Sequence, residues 1–163
     1  MNMRVLLLPL PLALCVLPAA CTTADGSGNT ATAAARTMTV TIASKNGPHA
    51  FQVEQAKTAA EQERGLMYRT DLTDTGGMMF WPYPPEGPPR EANFWMKNTP
   101  SALDIIFIRA DGTIATIAEN TIPFSEEPVK SGEAVSAVLE INGGKAAELG
   151  IAAGDKVTWP GQR

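Results

Sequence analysis

Cysteine and histidine are nearly missing from this chain, which has two Cys and one His in 163 residues. Cys15 lies inside an apolar leader, so only Cys21 is left to a mature protein. That excludes an intrachain disulfide and a Cys-based zinc or iron–sulfur site. The single His49 follows the turn residues Gly47-Pro48, and no G-x-S-x-G occurs, so a serine-hydrolase constellation has no base in reach of a nucleophile. Basic residues are few and scattered: 13 Lys and Arg against 17 Asp and Glu, a net charge of −4. Nucleic-acid binding and docking on anionic lipid are therefore both disfavoured. Long apolar runs are missing too. The longest covers residues 5–17, short of the roughly 20 residues that span a bilayer.

What is present at the N-terminus is an export address. Arg4 supplies a positive n-region before that apolar run, and Ala19-Ala20 precede Cys21, so residues 1–20 read as a signal peptide. The segment resembles a bacterial lipobox, with Pro18 where Leu is usual and Leu17 one step away. The expectation is an acylated Cys21 that anchors the protein in the cell envelope, facing the periplasm. The alternative is ordinary secretory cleavage and a soluble periplasmic protein. Without residues 1–20 the chain loses Arg4 and no acid, leaving 12 basic against 17 acidic residues, or −5. Residues 22–37 contain no aromatic or large aliphatic side chain and read as a disordered tether.

Residues 38–161 then form one domain of ordinary size, without internal repeats. Thr39-Val40-Thr41-Ile42 and Phe51-Gln52-Val53-Glu54 alternate at period two and read as strands joined by an Asn46-Gly47-Pro48 turn. Thr58 and Glu61 make a capping box for a short helix that Gly65 can close. Met78-Met79-Phe80-Trp81 reads as a short strand, and four prolines between Tyr83 and Pro89 demand an irregular loop. Asp111-Gly112 predicts a two-residue hairpin with both residues at positive φ, Arg109 opposite Ile114 and Phe107 opposite Thr116. A strand over residues 135–141, a one-turn helix over 145–149 with Gly150 beyond it, and a last strand at Val157-Thr158-Trp159 complete the pattern. Short strands with little helix predict a mainly β domain: a sandwich, jelly-roll-like, or a partly open barrel, with one or two short helices.

Several motifs carry a resemblance. Glu63-Arg64-Gly65-Leu66-Met67-Tyr68-Arg69, Gly77-Met78-Met79-Phe80, Phe94-Trp95-Met96-Lys97-Asn98-Thr99, Leu103-Asp104-Ile105-Ile106-Phe107-Ile108 and Val138-Leu139-Glu140 occur in that order. Gly150-Ile151 and Gly154-Asp155 follow. Together they resemble the family catalogued as domain of unknown function 192. Ser101-Ala102 stand before Leu103 where that family usually has Ile-Pro. The resemblance implies a compact β-rich, jelly-roll-like domain, often behind a secretion signal. It implies no activity and supplies no catalytic residues.

Candidate site residues follow from charges set among apolar neighbours, which are costly unless paired or used. A turn over residues 99–102 would place Lys97 opposite Asp104, with Trp95 and Ile106 on the same face. Glu140, flanked by Leu139 and Ile141, is another acid embedded in a strand. The expected pocket has Trp95 as apolar wall, Lys97, Asn98, Asp104 and Glu140 as polar groups, and Arg64 and Arg69 at its rim. The competing reading makes Lys97–Asp104 a structural ion pair, and leaves Arg64 and Arg69 solvated or paired with Glu140. Met67, Met78, Met79 and Met96 could ligate copper, but beside Phe and Trp they read as core. No cofactor or metal is expected. A paired-carboxylate glycosidase using Asp104 and Glu140 is disfavoured, because Lys97 would hold Asp104 ionised. The leading functional expectation is a non-catalytic, membrane-tethered module binding a small polar molecule, glycan or envelope protein. The alternatives are a hydrolase-type envelope enzyme using Lys97, Asp104 and Glu140, and a purely structural envelope protein.

Overall fold

The computed structural model describes residues 37–162. The signal peptide, Cys21 and nearly all of the tether lie outside the described residues. Thr37, expected to end the tether, is the first residue of a strand.

Seven strands form one sheet. These are β1 (Thr37–Ser44), β2 (Gly47–Ala56), β3 (Gly76–Phe80), β5 (Leu103–Ile108), β6 (Ile114–Ala118), β8 (Ala137–Asn142) and β9 (Lys156–Thr158), in the spatial order β6-β5-β8-β3-β2-β1-β9. The two remaining strands, β4 (Arg90–Phe94) and β7 (Val129–Val135), pair only with each other. The short helix α1 (Ala59–Arg64) makes the crossover between the parallel strands β2 and β3, and α2 (Lys145–Leu149) follows β8. At one end the edges of the large sheet meet. Ile114 N donates to Asp155 O at 2.9 Å, Gly154 N to Ile114 O at 2.9 Å, and Val157 N to Gly112 O at 2.8 Å. The domain is a mainly β, nearly closed barrel.

Strands β3, β5 and β8 are buried along almost their whole length, which explains their unbroken apolar runs: both faces are covered. Inside the barrel sit Val40, Ile42, Phe51, Met79, Ile106, Leu139, Ile141 and Val157. On the outer face of β3, β5 and β8 a second core forms from Met78, Phe80, Leu103, Ile105, Phe107 and Val138. It is closed over by Leu66, Ala92, Met96 and Val135. The β4–β7 ribbon and the loops are the lid of this outer core.

Local chemistry accounts for most boundaries. The capping box forms as expected: Glu61 N donates to Thr58 Oγ1 at 3.3 Å and Thr58 N donates to the Glu61 carboxylate at 3.0 Å. Gly150, at φ 65°, ends α2, with Ile151 N donating to Ala146 O at 2.8 Å. Three expectations shift by small amounts. The first hairpin turns at Lys45-Asn46, since Ser44 already pairs with Gly47. The expected strand over residues 135–141 is two strands, because the chain passes from the small sheet to the large one at Ser136. The Asp111-Gly112 turn is a longer loop: Gly112 N donates to Arg109 O and Arg109 N to Thr113 O, both at 2.9 Å. Only Gly112 has positive φ there, at 83°. Phe107 does face Thr116, but a bulge follows, so Ile108 rather than Arg109 opposes Ile114. The Asp111 carboxylate accepts from Thr113 N at 2.8 Å and Thr113 Oγ1 at 2.7 Å. This side-chain turn competes with the tighter one.

Candidate functional site

Alternation on β8 places Leu139 and Ile141 inside the barrel and Glu140 on its outer face, where its strand neighbours are Met78 and Ile105. Over that face lies a cavity of about 330 Å³, whose lining includes Gln62, Arg64, Leu66, Phe80, Tyr83, Arg90, Asn93, Phe94, Trp95, Thr99 and Glu140. Aromatic packing shapes the wall. Phe94 meets Phe80 edge-on with centroids 5.0 Å apart, Phe107 at 6.0 Å, and Tyr83 at 5.6 Å. Helix α1 closes one side. Gln62 Nε2 ties it to Ala56 O at 3.1 Å and to Pro82 O at 2.7 Å. Gly65 ends the helix at φ 48°, and a Cβ there would stand 3.2 Å from the Phe80 ring. An adjoining recess of about 210 Å³ shares Asn93, Phe94 and Trp95.

Glu140 is the unusual group. It is 4% exposed, and its carboxyl has no hydrogen-bond or ionic partner among the described residues. Burial pushes its pKa up to about 8, which favours the neutral acid at pH 7. A second buried acceptor, Gln62 Oε1, also lacks a donor. At the rim, Arg64 and Arg90 are exposed and form no ion pair among the described residues.

The other expected site residues are placed differently. Asp104 is fully buried on the inner face of β5, opposite to that of Glu140. Its carboxylate accepts Asn120 N at 2.7 Å, Gly144 N at 2.8 Å and Ala146 N at 2.7 Å. It anchors the residue-120 loop and the start of α2, and is not part of the cavity. Lys97 makes no pair with it. Its ammonium lies 5.0 Å over the Trp95 ring, a cation–π contact. The expected hairpin fails because β4 turns away to pair with β7, and residues 95–102 cross between sheets instead of closing a ladder. Asn98, at φ 55°, gives its carbonyl to Tyr68 N at 2.7 Å, and its amide reaches Met67 Sδ at 4.0 Å. It does not line the cavity. Arg69 is held by Glu54 at 3.0 Å and Asp71 at 2.6 Å, away from the lining. The lining therefore keeps Trp95, Glu140 and Arg64 and omits Lys97, Asn98, Asp104 and Arg69. The hydrolase constellation of Lys97, Asp104 and Glu140 is not assembled. Tyr83, Arg90, Asn93 and Phe94 were missed. Phe94, next to Trp95, carried the one readable signal.

His49 is half-buried in β2, 3.0 Å from Ser44 Oγ. Met79 belongs to the inner core, whereas Met78 and Met96 belong to the outer one.

The large apolar side chains left exposed among the described residues are Tyr68 at 70%, Trp95 at 45%, Ile122 at 74% and Phe124 at 62%. All lie on three loops stitched together beside the cavity. Met96 N donates to Ser125 O at 2.8 Å and Phe124 N to Thr99 O at 3.1 Å, alongside the Tyr68–Asn98 bond. Tyr68 and Phe124 have φ of 63° and 61°, a backbone region costly for bulky residues.

Fold and cavity together define a class: a small, nearly closed β-barrel with an aromatic-walled cavity on its outer face and a buried acid in the cavity wall. The chain belongs to the family DUF192, Uncharacterized ACR, whose model matches residues 40–159. A solved protein of unknown function from Novosphingobium aromaticivorans DSM 12444 is 48% identical, with a TM-score of 0.71 over 76% of this chain and 85% of that one. A second, from Sinorhizobium meliloti 1021, carries the provisional name of a transcription regulator. It is 40% identical, with a TM-score of 0.70 over 76% of this chain and 93% of that one. No curated protein gives a significant match.

Proposed function

We propose that this chain is a non-catalytic binding module of the bacterial cell envelope, holding a small molecule in the cavity against Glu140. The observation that carries the reading is the buried carboxyl without a partner. That carboxyl opens on the cavity with no protein donor in reach, and a bound ligand would supply one. Aromatic walls with a few convergent polar groups are the usual make-up of a small-molecule site. The leader over residues 1–20 and Cys21 support export and lipid anchoring, with a soluble periplasmic form as the alternative. The name carried by the Sinorhizobium neighbour is not adopted, because a net charge of −4 without a basic cluster does not suit DNA.

A thermal-shift screen of the mature protein against amines, sugars, organic acids and peptidoglycan fragments tests the binding reading. A ligand at a hundredfold excess over its Kd stabilises by about 2.7 kcal/mol. Failure of every class to raise the Tm would favour the purely structural role. Cys21→Ser tests the anchor: the protein should move from the membrane to the periplasmic fraction, and an unchanged distribution would reject lipidation.

A further inference from the structure

Among the described residues two carboxylic acids are buried, Asp104 and Glu140, and the fold treats them oppositely. Asp104 receives three backbone N–H donors, whereas Glu140 receives none. Among the described residues no cation is buried near either of them, since the buried polar residues are Thr99, Asp104, Ser131 and Glu140. From the geometry we infer that the cavity accepts an organic amine, its ammonium against the Glu140 carboxylate and its apolar arm against Phe94 and Trp95. This rests on the cavity being a binding site and adds the class of ligand.

Each surrounding element supports the assignment. From β3 and β5 the neighbours of Glu140 are Met78 and Ile105, neither able to donate. The charged or titratable lining groups are Glu63 and Arg64 on or beside α1, Tyr83 on the proline-rich loop and Arg90 on β4. Glu63, Arg64 and Arg90 are exposed, so solvent screens them. The single deep ionisable group is an acid. An anion pushed to that depth would face Glu140, and its best partners would be the hydrated arginines outside. A neutral hydroxyl would gain an ordinary hydrogen bond, whereas an ammonium makes charge-assisted ones, which are stronger. The Lys97 ammonium, 5.0 Å over the Trp95 ring, is a like charge near the wall, so the ammonium end of the ligand belongs at Glu140 and its apolar arm at the aromatic end.

Binding in this mode has a proton balance. Before binding, Glu140 is the neutral acid, and the amine enters already protonated. One proton must then leave the Glu140 carboxyl for solvent as the ion pair forms. An anionic or neutral ligand requires no such release.

The experiment uses the mature protein and three matched probes: benzylamine, benzyl alcohol and benzoate. Affinity is measured calorimetrically from pH 6 to 8.5, and proton release is followed in weakly buffered solution with an indicator dye. Benzylamine should bind best and release close to one proton per site at pH 7. Its affinity should rise about tenfold per pH unit below the Glu140 pKa and level off above it. Glu140→Gln should abolish both the release and the pH dependence. The wild-type proton count stands by itself if that variant folds poorly. Tighter binding of benzyl alcohol or benzoate without proton release would overturn the amine assignment and leave the cavity-binding reading intact. Binding of none of the three would overturn the amine assignment, and failure of every class in the thermal-shift screen would overturn the cavity reading as well.

Discussion

Replacing Glu140 by Gln tests the carboxyl through stability alone, with no ligand required. The folded protein holds this acid at about 8, against an ordinary value of 4.5. Folding therefore takes up a proton between those two pH values. The contribution to stability is full below about pH 4.5 and is lost as pH rises through 8, where the folded state must carry a desolvated carboxylate. At about 1.4 kcal/mol per pH unit, that interval corresponds to a loss of roughly 5 kcal/mol across the window, with about 3 kcal/mol gone by pH 7. Asp71 and Asp111 behave oppositely. Their pKa values are lowered, Asp71 chiefly by the hydrogen bond from Arg69 and Asp111 chiefly by that from Thr113 N. Their contributions are present above pH 4 and lost in acid, outside this window. The assay is urea unfolding of wild type and Glu140→Gln at pH 5, 6, 7 and 8. The variant should lack the descending slope, so the difference between the two curves should grow steadily in its favour with pH. Parallel curves would show that water or another group already satisfies Glu140, and the cavity argument would fail with it.

Asp104→Ala removes the acceptor for three backbone donors at once and should cost about 3–5 kcal/mol in urea unfolding; a loss under 1 kcal/mol would mean that water replaces it. Gly77→Ala should fold poorly or lose more than about 3 kcal/mol, because the new Cβ would collide with the Glu140 carbonyl across β3 and β8; a normal melting temperature would contradict that close approach. Phe124→Gly should leave stability unchanged or raise it by up to about 1 kcal/mol, since it relieves positive φ at an exposed ring. A loss above 2 kcal/mol would show that the ring packs against something. Arg69→Ala should cost under about 1 kcal/mol, as its partners are solvent-exposed; a larger loss in thermal unfolding would give that network a structural weight its exposure does not suggest.

Local chemistry was legible in the residues themselves. Thr58 and Glu61 specified their helix start, Gly150 its helix end, and the apolar runs of β3, β5 and β8 a β-rich core, because caps and periodicity act within a few residues of chain. Glu140 was legible as an acid between Leu139 and Ile141, which no solvent-facing strand requires. Partnership was decided by the tertiary structure. Lys97 and Asp104 are seven residues apart and looked like one hairpin, but β4 finds β7, more than thirty residues on, and leaves β5 to pair with β8. Which acid is satisfied and which is left bare depends on the opposite faces that Asp104 and Glu140 occupy in adjacent strands. The donors at Gly144 and Ala146 come from α2, and the cavity walls at Tyr83 and Arg90 from a loop and a ribbon folded over the sheet. A side chain's burial and partners depend on which distant segments cover it, and non-local strand pairing, absent from any short stretch of sequence, brings those segments together.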